Sequence, residues 1–345
     1  MLYVVLFFLM FSLFLYVVLG GADYGAGIVE LFSSKENQKI TKKTIYRVMG
    51  PVWEANHIWI IILIVILWIA FPEYYNIIVI YLHLPLTIVL LGVTLRGVAF
   101  VFRHYDAIID NSQKLYDTLF KISSLITPVF LGIVFGALIS GQIIIVEDIG
   151  TLTFFEAFIK PWCNMFSILI GFFFAALCAF LSSVLLIGES EEDNQHIYIR
   201  KSVVASIIVF ILGLFTFIYG YVTKSVFVYE FITNTYAIVA VVISALLLVP
   251  LWRTIKAGNK VWSRFFAGFQ VFLILLAALV SHFPNIIITQ NQRISLLDNL
   301  APVSVINVLG ISLIIGGAVI LPGLFHLLKS FKMIKILDKN NNPSI

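Results

Sequence analysis

The stretch that decides the fold is Gly50-Pro51-Val52-Trp53-Glu54-Ala55-Asn56-His57-Ile58-Trp59, which runs straight into Ile60-Ile61-Ile62-Leu63-Ile64-Val65-Ile66-Leu67-Trp68-Ile69-Ala70-Phe71. A carboxylate, an amide, an imidazole and two indoles stand at the mouth of a long apolar helix. Polar groups in hydrocarbon cost free energy unless they are partnered, so their presence marks a use.

The apolar character extends along the whole chain. Of 345 residues, 61% are hydrophobic and 12% charged, and the mean hydropathy is +1.05. A soluble domain is about 45–50% apolar and about 25% charged, so this is an all-α integral membrane protein. Apolar runs long enough to span as helices set it apart from the weaker alternating pattern of a membrane β-barrel. Nine spans are expected, at about 2–22, 52–71, 76–102, 119–141, 162–187, 202–222, 235–252, 265–283 and 304–328. Their spacing permits two four-helix bundles plus one peripheral helix within a single polytopic membrane domain, 1–345. The first half, 1–145, carries the polar motifs, and 146–345 forms the second half and the last helix. The first run lacks a basic leader and ends in Gly-Gly-Ala-Asp, so it reads as a retained span rather than a signal peptide.

Lys and Arg set the orientation. One set of connections carries Lys35, Lys39, Lys42, Lys43, Arg47, Arg103, Lys114, Lys121, Arg200, Lys201, Arg253, Lys256, Lys260 and Arg264, and the tail adds Lys329, Lys332, Lys335 and Lys339. The opposite connections hold Lys160, Lys224 and Arg293. The positive-inside rule therefore expects the N-terminus outside and the C-terminus in the cytoplasm. The net charge of +4 gives no indication of a nucleic-acid partner. The acidic run at 189–193 reads as a solvated loop, and the Asn run at 340–342 as a frayed tail. Cys163 and Cys178 lie on one apolar segment about 22 Å apart along a helix, beyond disulfide reach.

Asp23, Glu54, Arg96 and His57 stand out against this background. With the expected orientation, Asp23 lies near the cytoplasmic end of span 1 and Glu54 opens span 2. Arg96 sits about 9 Å from the end of span 3. Two carboxylates and a guanidinium would then share one level, where they can pair or can hold and pass protons. Residue type leaves both readings open. Glu54 also suits a helix N-terminus, Pro51 a first turn, and Arg96 could snorkel. His57 follows Glu54 by three residues and is expected on the same face. A hydrogen-bonding role for His57 outweighs haem ligation. His83 and His282 are ambiguous, and His104, His196 and His326 read as structural. Glu-x-x-His pairs on two helices, a Cys-x-x-Cys-His motif and a Cys/His cluster are all missing from the sequence, so no metal or haem site is expected on this chain. Gly20-Gly21-Ala22-Asp23-Tyr24-Gly25-Ala26-Gly27 lacks the strand and spacing of a nucleotide loop, and reads as a close-packing helix surface. Trp53, Trp59 and Trp68 are expected to form interfacial belts.

Three blocks carry a resemblance. Gly21-Ala22-Asp23-Tyr24-Gly25-Ala26-Gly27, Gly50-Pro51-Val52-Trp53-Glu54-Ala55-Asn56-His57-Ile58-Trp59 and Leu95-Arg96-Gly97-Val98-Ala99-Phe100-Val101-Phe102-Arg103 resemble conserved-order motifs of subunit II of the cytochrome bd-type quinol oxidases. The resemblance implies a non-haem subunit that packs on a haem-bearing subunit I, which holds two b-type haems, one d-type haem and the quinol site. It implies quinol and dioxygen as substrates of the complex, and cytoplasmic protons consumed to make water. It implies residence in membrane lipid of the bacterial cytoplasmic (inner) membrane, with a bound quinone of structural role in some members. Glu54 would stand in a proton route, Asp23 and Arg96 on the family's other polar positions, and Trp53, Asn56, His57 and Trp59 in the supporting motif. Glu at 54 departs from the family's Asp, Ala55 from its Gly, and His57 from its Glu or Gln. The alternatives are a secondary transporter or a membrane assembly or scaffold protein. The polar cluster's position near one face, away from the midplane, disfavours a transporter.

Overall fold

The computed structural model describes residues 1–50, 53–105 and 112–330. Pro51, Val52, the His104 side chain, Lys332, Lys335, Lys339 and the run at 340–342 lie outside the described residues. Helix α1 (Leu2–Leu15) continues through a π-helical turn, Tyr16–Gly20, into α2 (Gly21–Leu31). The first span is thus Leu2–Leu31 rather than 2–22. Asp23, expected near the end of this span, and Glu30, expected in the following loop, are both buried inside it.

Helix α3 (Lys35–Met49) lies outside the spans; its apolar face, Ile45, Val48 and Met49, packs into the core. A single turn, α4 (Trp53–Asn56), precedes α5 (Ile58–Ala70), and together they make the second span. The expected segment 76–102 is two helices, α6 (Pro72–Tyr81) and α7 (His83–Tyr105). The chain breaks at Leu82 (φ −117°, ψ 19°). Pro85 falls in the first turn of α7, where its missing N–H costs no helical bond.

Helices α8 (Ser112–Ile139), α9 (Phe154–Phe158), α10 (Met165–Glu189), α11 (Gln195–Val222), α12 (Val226–Thr233), α13 (Thr235–Lys256) and α14 (Lys260–Val280) follow. Local chemistry starts several of them. The Asn164 side chain accepts from Ser167 N at 2.9 Å, and Asn234 and Asn259 cap α13 and α14. Between α13 and α14, Gly258 takes φ 64°, the left-handed conformation that lets Asn259 begin the next helix at once. A short antiparallel pair, β1 (Ile287–Ile288) and β2 (Arg293–Ile294), precedes α15 (Val303–Ser330). Among the described residues nine helices are long and apolar enough to cross a membrane, as expected. Helix α10 is central, packing on α2, α8 and α11, and α15 packs on α1 and α5.

Two contacts fix the ends of the bundle opposite α3. Tyr74 on α6 donates its hydroxyl to the Ile294 carbonyl of β2, and burial pushes its pKa up to about 12. Glu230 on α12 bridges Arg293 (2.5 Å) and the buried His282 (3.2 Å), whose ring stacks on Phe227. Burial holds His282 below the ordinary 6.5 despite the neighbouring carboxylate, while Arg293 acts in the same direction as burial.

Tyr74→Phe leaves a buried carbonyl unpaired and should cost about 1–3 kcal/mol in thermal unfolding of the detergent-solubilised protein. The depressed pKa of His282 means that its contribution to stability is present above the unfolded value and lost as pH falls below it. Protection factors in the 281–301 segment, corrected for the intrinsic pH dependence of amide exchange, should therefore fall below about pH 6.5, the free imidazole value, and His282→Gln should remove that dependence.

Candidate functional site

The small residues of α2 determine how closely its neighbours approach. A Cβ at Gly25 would collide with the Cys178 carbonyl of α10, and one at Gly27 with Ser124 of α8. This close packing brings α2, α7 and α8 together around Asp23. Arg96 on α7, itself 2% exposed, donates Nη1 to Asp23 Oδ2 at 2.5 Å and Nη2 to the Asp23 carbonyl at 2.9 Å. Its Nε donates to Ser124 Oγ at 3.0 Å. The guanidinium lies over the rings of Tyr24 (5.2 Å) and Phe120 (5.0 Å), which shield it from lipid. Arg96 is therefore fully committed to the interior and does not snorkel.

His57 Nε2 reaches within 3.5 Å of the same Asp23 oxygen. Its ring lies 5.5 Å from that of Tyr24 and 6.2 Å from that of Tyr16. The Tyr16 and Tyr24 hydroxyls meet at 3.0 Å, Tyr16 standing in the π-helical turn, a feature often found at functional sites. Asp23 Oδ1 and His57 Nδ1 are buried with no hydrogen-bond partner among the described residues. Each is a point where water or a proton could be held. The imidazole faces a carboxylate and two phenols, which suits hydrogen bonding within the cluster better than axial haem ligation. Among the described residues, no group of three or more His, Cys, Asp or Glu could hold a metal ion.

The structure brings Asp23, Arg96 and His57 together and leaves Glu54 outside. Helix α4 ends at Asn56, and His57 N donates to the Glu54 carbonyl at 3.1 Å in the turn before α5; the Glu54 side chain is exposed, whereas that of His57 turns to Asp23. Glu54 is exposed, and its side chain makes no ion pair or hydrogen bond among the described residues. Asn56 is buried. Trp59 is packed inside, edge-on to Phe11 at 5.8 Å, rather than in an interfacial belt. Trp53 packs on Phe100, and Trp68 is exposed.

Two functional candidates were hidden in the sequence. Glu30 and Arg103 form a second buried pair, with Nη2 to Oε1 at 2.7 Å. Both pairs link residues 73 apart, and each partner lies seven residues beyond its counterpart, two turns along its own helix. The matching sevens were a usable signal. It was masked because Glu30 and Arg103 fell in expected loops. Beside Tyr16, a cavity of about 300 Å³ is lined chiefly by Phe135, Phe166, Phe173, Phe174 and Phe217.

Removing one member of a buried ion pair strands the other charge. Arg96→Gln should cost about 3–5 kcal/mol in thermal unfolding. Asp23→Asn added to it should recover part of that loss, as coupled neighbours do.

Three comparisons bear on this architecture. The bd oxidase of Geobacillus thermodenitrificans superposes with a TM-score of 0.74, covering 94% of this chain and 96% of that chain, at 19% identity. Cytochrome bd ubiquinol oxidase subunit 2 of Bacillus subtilis (strain 168) is 30% identical over 162 residues, 46% of this chain and 45% of the relative. Putative cytochrome bd menaquinol oxidase subunit II of the same organism is 30% identical over 193 residues, 55% of this chain and 53% of the relative. The chain thus aligns with about half the length of each of these relatives. The family model for cytochrome bd terminal oxidase subunit II matches residues 1–331. With the motifs around Asp23, Glu54 and Arg96 inside that match, this chain belongs to the cytochrome bd terminal oxidase subunit II family.

Proposed function

We propose that this chain is the non-haem subunit of a quinol:oxygen oxidoreductase, supporting a haem-bearing subunit I and helping to bring protons from the cytoplasm to the oxygen-reducing centre. The partner's haems supply the oxygen chemistry when bound. Reduction of dioxygen to water consumes a proton for each electron, so the complex needs a path for protons through an apolar body.

The observation that carries this reading is the arrangement of the polar groups. Glu54 is an exposed carboxylate without a partner among the described residues, at the foot of an otherwise apolar helix. Behind it lies the buried cluster of Asp23, Arg96 and His57. A carboxylate left facing lipid is costly, so Glu54 is best accommodated against a partner subunit or water at a protein interface. There it can take and release protons, while Asp23 can exchange one with His57 and remain held by Arg96. Trp53 and Trp59 pack this region against Phe100 and Phe11 and keep it rigid.

The rest of the reading follows the family. The chain lies in the bacterial cytoplasmic membrane with its N-terminus outside and its basic connections and C-terminus inside, as the loop charges favour. Proton consumption on that side would generate proton-motive force without pumping. The cavity beside Tyr16 has a size and lining suited to the hydrocarbon tail of a bound quinone or lipid. Packing of α10, α11, α13 and α14 on one another supports a second helical half, 146–345, set against a first, 1–145.

Glu54→Gln should lower oxygen reduction by the assembled complex by roughly tenfold or more, the scale of a lost proton-transfer group. The haem absorption bands should be unchanged. Unchanged turnover would contradict the role of Glu54 in proton delivery, and loss of the complex would assign Glu54 a structural role instead.

A further inference from the structure

The second buried pair sits at a distinctive place. Lys42 and Asp117 form an ion pair at 2.6 Å at the basic end of the bundle, with side chains about one-third exposed (32% and 29%). Asp117 Oδ1 also lies 3.1 Å from Arg103 Nε, and Arg103 holds Glu30 at 2.7 Å with both side chains at most 1% exposed. The ring of Phe120 is shared by the two guanidinium groups, 4.6 Å from Arg103 and 5.0 Å from Arg96. Beyond it lie Asp23 and then His57, whose side chain is again 16% exposed. Ionisable groups thus run from one accessible end, through a buried stretch, to a second accessible point.

Three features of this run exceed what packing needs. Glu30 Oε2, Arg103 Nη1 and Asp23 Oδ1 are all buried without a hydrogen-bond partner among the described residues. Such atoms are normally satisfied, and a polar, enclosed site is where internal water resides. Asp23 and Glu30 lie seven residues apart on one helix, two turns or about 10 Å along its axis, and so on nearly the same face. Finally, Arg103 has two acidic partners. When Glu30 is neutral, Arg103 still has Asp117 beside it, an anion it shares with the partly exposed Lys42, so the guanidinium is not left without a carboxylate neighbour.

We propose that the Glu30–Arg103 pair is a second proton-carrying station, placed in series between the exposed Lys42–Asp117 pair and the Asp23–Arg96–His57 cluster. Protons would then pass through the interior of this chain as well as along the Glu54 surface. Glu30 Oε2 takes a proton from water at the Asp117 side and becomes a neutral carboxyl. It passes that proton through water to Asp23 Oδ1 and returns to carboxylate, with Arg103 and Arg96 cationic throughout. Lys201 on α11 donates to the Val29 carbonyl at 3.3 Å, beside Glu30 in the chain. The proposal rests on the reading that this chain delivers protons.

The test uses the oxidase complex with its haem bands intact, and compares Glu30→Gln, Glu30→Asp, Asp23→Asn and Glu54→Gln. Glu30→Gln should lower turnover by roughly tenfold, with the loss growing as pH rises and proton supply thins. Glu30→Asp, which keeps the carboxyl, should restore most of it. A purely structural pair would not give that pH-graded loss. Turnover of assembled Glu30→Gln matching the parent across the pH range overturns the station. If Asp23→Asn or Glu54→Gln then still lowers turnover, proton delivery by this chain stands and only the station falls. If neither lowers it, that reading falls as well. Should Glu30→Gln not assemble, the double variant Glu30→Gln/Arg103→Gln removes both charges and is judged by the same criterion. Should that also fail, the Glu30→Asp complex decides. A carboxyl infrared band that responds to haem reduction and shifts on Glu30→Asp supports the station, and its absence overturns it.

Discussion

The Asp23–Arg96 ion pair is the constraint on which the rest of the architecture depends. Neither group can be buried in an apolar bundle alone, and each makes the other tolerable only if three helices meet closely. The glycines of α2 permit that approach to α8 and α10, and Ser124, Tyr24 and Phe120 fill the remaining sides of the guanidinium. The π-helical turn, the single-turn helix before His57 and the broken second span are all grouped around this pair. Irregular backbone at membrane depth is tolerated where it is buried in protein, and this cluster supplies that setting.

The pair is also a poor choice if stability alone mattered. Apolar residues of similar volume would pack the same space without paying desolvation. The unpartnered oxygens of Asp23 and Glu30 make the same point, because each leaves hydrogen-bonding capacity unused by the protein. Proton transfer supplies a reason for such a surplus. A carboxylate saturated by fixed donors cannot readily gain a proton, whereas one with a free oxygen can.

Much of this was legible in the sequence. Nine apolar segments and the isolation of Asp23, Arg96 and His57 follow from hydropathy and residue type. The span ends were not legible, because a hydropathy reading treats every ionisable residue as if water solvated it. Glu30 and Arg103 were therefore assigned to loops, although each neutralises the other across 73 residues of chain. The break at Leu82 and the turn at His57 were hidden for a different reason. Both interrupt continuously apolar or helix-compatible sequence, and tertiary packing decides them. Glu54, which level alone had placed with the buried cluster, is exposed and makes no ion pair with it among the described residues. The inward packing of Trp59 was likewise set by its neighbour Phe11 on α1 rather than by residue type.

The central claim is that this chain's buried carboxylates carry protons rather than only hold helices together. The most direct measurement is the rate of proton uptake from the cytoplasmic side during a single turnover of the reduced complex with dioxygen, compared with an Asp23→Asn complex whose haem spectra are intact. The account predicts that oxygen binds at the unaltered rate while proton uptake slows and becomes limiting. Proton uptake at the parent rate in the Asp23→Asn complex would contradict it.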